Sequence, residues 1–138
     1  MGLPKPGPAR LYYQAARQRA EDASMLLEGA RTTGAVYLAG YAVECMLKAL
    51  LLANVARGLR NELLKEFHGR RAHDIEWLGN LCRRHVGVAV PLEISRHLAR
   101  LATWSTDLRY HTGALRKQDA DRFLASVRSV TTWADGRM

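Results

Sequence analysis

A chain of 138 residues is the size of one domain, and such a domain buries roughly two-thirds of the surface its unfolded chain exposes, so it needs no disulfide or metal staple. Apolar residues at 48% and charged residues at 25% are those of an ordinary globular protein. The 21 Lys and Arg, mostly arginine, against 13 acidic residues give a formal net charge of +8, which suits nucleic acid, acidic protein or anionic lipid and serves simple solubility equally well.

The opening MGLPKPGPAR has no apolar core of the kind a signal peptide carries, and its Pro and Gly predict a flexible lead-in over 1–8. A first helix is expected from Ala9 to Ala30, because Tyr12, Ala16, Arg19, Ala23, Leu26, Leu27 and Ala30 recur on one face. Thr32, Thr33 and Gly34 make a short break, with Thr33 as N-cap of the next helix, and a break this short turns the two helices antiparallel.

Residues 33–56 are the most apolar stretch of the chain. Between Ala35 and Val55 the only charges are Glu44 and Lys48. A helix apolar on nearly every side belongs in the middle of a bundle. Tyr37, Tyr41, Glu44, Lys48 and Asn54 interrupt it, so it does not read as a membrane span, and no membrane association is expected. Glu44 and Lys48 are spaced to pair along one helix face. An ion pair in such a helix is not there for stability alone, since apolar replacements often do as well.

The segment 58–72 is charged and less regular, with Leu59, Leu63, Leu64 and Phe67 giving a further turn or two of helix, and Gly69, Arg70 and Arg71 an exposed loop. Asp74 is placed to cap a third helix whose apolar face is Ile75, Leu78, Leu81 and Cys82, closed by Gly87. Pro91 suits the first turn of a fourth helix that reaches Trp104, and a fifth runs from Gln118 to Trp133. With no alternating strand pattern, the expected fold is all-α: an antiparallel up-down bundle of four long helices plus a shorter one, occupying 9–135.

Chemistry-bearing patterns are sparse. Cys45 and Cys82 lack a CxxC arrangement and read as reduced, buried thiols of a cytoplasmic protein. His68 and His73 are separated by Gly69, and no HExxH, GxSxG or glycine-rich phosphate loop is present, so no metal or other cofactor is expected. The richest stretch is Trp104 to Gly113. There Arg109 and His111 suit a phosphate, and Tyr110 or Trp104 suits stacking on a base. A purely structural reading stands beside it: Asp107 pairs with Arg109 or with a neighbouring helix while Trp104 and Tyr110 fill the core.

The segments YYQAARQRAEDASMLL, GYAVECMLKALL, HDIEWL and W..DLRYH, in that order and spacing, resemble the HEPN family (higher eukaryotes and prokaryotes nucleotide-binding domain) over nearly the whole chain. The resemblance implies a helical bundle that commonly forms a homodimer, frequently with a small nucleotidyltransferase as its partner in a toxin–antitoxin pair. Ribonuclease members carry Arg, four to six residues, then His, and cleave RNA without metal. No His of this chain has an Arg at that distance upstream, and Arg109 and His111 are only two apart, so the chain resembles the branch without the nuclease motif.

What the resemblance implies for the residues is a binding module. Lys48, Trp104, Arg109, Tyr110 and His111 are the candidates for nucleotide or RNA contact. Glu44, His73, Asp74 and Asp107 are the candidates for one polar network, in a crevice shared by Lys48 and Arg109. A metal-independent RNase using Arg109 and His111, and a purely structural dimerisation domain, are the competing readings.

Overall fold

From Ala42 to Leu52 every residue except Cys45 is buried, so the apolar helix does lie inside the bundle. This is seen in a computed structural model that describes residues 3–86 and 89–138. Six α-helices follow one another: α1 (Gly7–Glu28), α2 (Thr32–Asn54), α3 (Arg57–Glu66), α4 (Ile75–His85), α5 (Leu92–Leu101) and α6 (Lys117–Asp135). Two 3-10 turns, Arg70–His73 and Thr106–Tyr110, punctuate them, and no strand occurs among the described residues.

The fold is the expected all-α bundle, with a different division of lengths. Only α1, α2 and α6 are long, at 22, 23 and 19 residues, and α3, α4 and α5 have 10 or 11. The charged segment after α2 forms a complete helix because Leu63 and Phe67 fall one turn apart and both enter the core. The helix expected to reach Trp104 is α5, which stops at Leu101. Gly87, expected to close α4, lies outside the described residues.

α1 packs along α2, α6 covers a second side and α4 a third, while α5 rests mainly on α6. α2 has the length and apolar composition of a membrane-crossing helix, but most of its apolar window is covered by these neighbours. Close approach shapes one more contact. The Trp104 indole lies directly on α2 at Gly40, where any Cβ would overlap the ring.

The corner between α1 and α2 sits earlier than expected. Arg31 N–H donates to Leu26 O at 2.8 Å and Ala30 N–H to Leu27 O at 3.0 Å, with Ala30 left-handed at φ 60°. This is a Schellman closure with alanine where glycine usually stands. Arg31 therefore occupies the N-cap position, and the expected Thr33 cap is corrected: Thr33 is inside α2 and its hydroxyl donates to a loop carbonyl instead.

Candidate functional site

Tyr37, Tyr41, Glu44 and Lys48 form one stripe along α2, spaced so that each lies about one turn from the next. Lys48 Nζ donates to Glu44 Oε2 at 2.8 Å, and each of the two side chains is 4% exposed. The ammonium is held between two aromatic rings, 5.4 Å from the centre of Tyr12 and 5.2 Å from that of Phe67. Glu44 Oε1 meets His73 Nδ1 at 2.8 Å. His73 is delivered by the first 3-10 turn, and Asp74 beside it caps α4 by accepting from Trp77 N–H at 3.2 Å. A carboxylate at Nδ1 selects the tautomer with its proton there, so the Nε2 lone pair is directed away from the hub.

The stripe continues upward through aromatic contacts. Tyr41 packs edge-on against His73, Tyr37 and Trp104, with ring centres 5.8, 5.2 and 5.0 Å away. The Tyr37 and Tyr41 hydroxyls are 3.4 Å apart. Burial, then the Tyr37 hydrogen bond and the nearby Glu44 charge, push the Tyr41 phenol well up, and Arg109 opposes that shift. Tyr12 is raised mainly by burial, with Cys45 and Glu44 adding to it.

At the upper end the α1–α2 corner and the loop after the second 3-10 turn border an open cavity of about 570 Å3. Arg31, Arg109 and His111 line it beside Tyr37, Leu26 and Leu108. Thr32 and Thr33, the first residues of α2, form its floor; a helix start offers unpaired N–H groups and positive potential. The same two threonines tie down the loop: Thr33 Oγ1 donates to Gly113 O at 2.6 Å and Thr32 Oγ1 to Leu115 O at 2.8 Å. Neither Arg31 nor Arg109 has a side-chain hydrogen bond or an ion pair among the described residues; Arg109 Cζ stands 4.9 Å above the Tyr110 ring.

The sequence candidates thus separate into two groups. Glu44, Lys48 and His73 converge on the hub, Asp74 instead caps α4, and Arg109 and His111 line the cavity. The expected common crevice for Lys48 and Arg109 is corrected. Tyr37 at the cavity and Lys48 at the hub are about 16 Å apart along the helix, and the Lys48 ammonium is sealed under Tyr12 and Phe67. Trp104 is a core residue at 6% exposure, not an outer stacking platform, whereas Tyr110 is 72% exposed. The expected Asp107–Arg109 ion pair is not among those of the described residues. Asp107 N–H donates to Ser105 Oγ at 3.1 Å. Arg31 escaped the sequence reading because it looked like a linker residue; its position just before an apolar helix was the available signal.

Among the described residues no three His, Cys, Asp or Glu side chains come together as a metal site. Burial pushes the Cys45 thiol up to about 11 and that of Cys82 up to about 12, which disfavours the nucleophilic thiolate.

Fold and cavity together define a small all-helical domain with an arginine-lined cavity at the start of its central helix. Residues 9–137 match the HEPN domain model, and the chain belongs to that family. No curated protein and no solved structure matches the chain.

Proposed function

We propose that the protein is a HEPN-type binding module that takes the phosphate of a nucleotide or of an RNA strand in the cavity at the start of α2. The observation that carries this reading is that two arginines, Arg31 and Arg109, with side chains unpaired among the described residues, line one cavity at the first turn of a long helix. His111 adds a donor at the same wall, and exposed Tyr110 is available to stack. Family membership favours nucleic-acid chemistry over the other anions that a net charge of +8 would attract. A cytoplasmic homodimer that works beside a small nucleotidyltransferase in a toxin–antitoxin pair is part of the same proposal.

The test is a titration with a short single-stranded RNA at several salt concentrations. Arg109→Ala and Arg31→Ala should each weaken binding and flatten the log–log salt slope by about 0.7 for every phosphate that is no longer neutralised. Unchanged affinity in both variants overturns the proposal. A second reading, metal-independent RNA cleavage, is favoured by Arg109 and His111 lining one cavity. It predicts cleavage that survives chelator and vanishes in both Arg109→Ala and His111→Ala; a chain that binds RNA without cutting it removes that reading.

A further inference from the structure

Resting on the phosphate reading above, we infer that the cavity continues into a base pocket selective for guanine, and that Asp107 reads the base. A second cavity of about 410 Å3 adjoins the first and shares Leu108 and His111 with it. A ligand with its phosphate beside Arg31 and Arg109 therefore has a neighbouring recess for its base. Val36, Trp104 and Phe123, all core residues, give that recess an apolar floor against which a flat ring can rest. Asp107 is among the residues that line it.

The Asp107 carboxylate is exposed and, like most acidic side chains of the chain, has no hydrogen bond or ion pair among the described residues, so it is open to a ligand. Next to a phosphate it would only repel, so its place is the other half of the ligand. The backbone beneath it is fixed, because Ser105 Oγ accepts from Asp107 N–H and sets the first turn of the 3-10 segment. An ionised carboxylate only accepts hydrogen bonds, through two adjacent oxygens. Guanine alone among the four RNA bases offers two adjacent donors on one edge, N1–H and the 2-amino group. Adenine and cytosine each set an acceptor nitrogen beside their amino group, and uracil flanks its one imide N–H with two carbonyls. The two oxygens of Asp107 match guanine in pairs and meet at least one repulsive lone pair on each of the others.

The test titrates the full chain with inorganic phosphate and with the 5′-monophosphates of guanosine, inosine, adenosine and cytidine, read by calorimetry and by tryptophan fluorescence. Guanosine monophosphate should bind tightest. Inosine monophosphate, which lacks only the 2-amino group, should bind at least about fivefold more weakly. Asp107→Asn should abolish the preference for guanosine over inosine while leaving phosphate binding unchanged. Asp107 is exposed, so this variant should keep the wild-type circular dichroism. Phosphate binding with equal affinities for the four nucleotides, or an undiminished preference in Asp107→Asn, overturns the base assignment and leaves the phosphate reading standing. If neither phosphate nor any nucleotide binds, the cavity reading fails and the base assignment falls with it.

Discussion

Replacing Lys48 by methionine keeps an unbranched side chain, one heavy atom shorter, and removes its charge. Glu44 then stays 4% exposed with one oxygen stripped of its cation. Breaking a buried pair in this way costs about 3–5 kcal/mol. The lower half of that range applies here, because His73 still holds Oε1 and methionine still packs between Tyr12 and Phe67. A loss of about 3 kcal/mol in a domain of this length lowers Tm by about 10 °C. The double variant Glu44→Leu with Lys48→Met removes both charges and should return to within about 1 kcal/mol of the wild type. Urea melts followed by circular dichroism measure both, provided the m-value is constant. A loss below about 1 kcal/mol in Lys48→Met, or a double variant as unstable as the sum of its singles, would refute the desolvated hub.

Gly40→Ala should destabilise by about 1–3 kcal/mol through overlap with the Trp104 indole, although the same change in an open helix would stabilise by up to about 1 kcal/mol; a gain in the urea midpoint refutes that packing. Asp74→Ala should cost about 1 kcal/mol by removing the cap on Trp77 N–H, and an unchanged melt would show that α4 does not depend on it. Tyr41, Cys45 and Cys82 all have raised folded values, so the native state holds their protons more tightly than the unfolded chain. Their contribution is complete below the ordinary thiol and phenol range and is lost as pH rises through about 11 and 12 for the two thiols. The urea midpoint should therefore fall steadily on the alkaline side, and Tyr41→Phe should remove part of the fall; a flat midpoint up to the alkaline limit contradicts the burial of these groups.

The central helix was legible because a run of small and branched apolar residues without a polar face admits only one placement. Glu44 and Lys48 were legible as a pair, since spacing alone puts them on one face. Their depth was not, because burial depends on Tyr12 and Phe67, which arrive from distant α1 and the end of α3. The same limit explains the single crevice expected for Lys48 and Arg109: sequence spacing gives direction around a helix but not which neighbour closes over each end. Trp104 and Arg109 lie close in sequence, yet one faces the backbone at Gly40 and the other the cavity. Thr33 departs from its expected role because a threonine before an apolar run normally accepts at a cap, whereas here a loop carbonyl claims its hydroxyl.

The double anchoring of the 111–116 loop by Thr32 and Thr33 has a thermodynamic corollary. Two consecutive hydroxyls fasten carbonyls on either side of Ala114, so the segment bearing His111 is immobilised during folding rather than on capture of a ligand. Entropy that a free loop would surrender at each encounter has already been given up. Association should consequently be rapid and exhibit little of the unfavourable ordering signature that accompanies recognition by mobile segments.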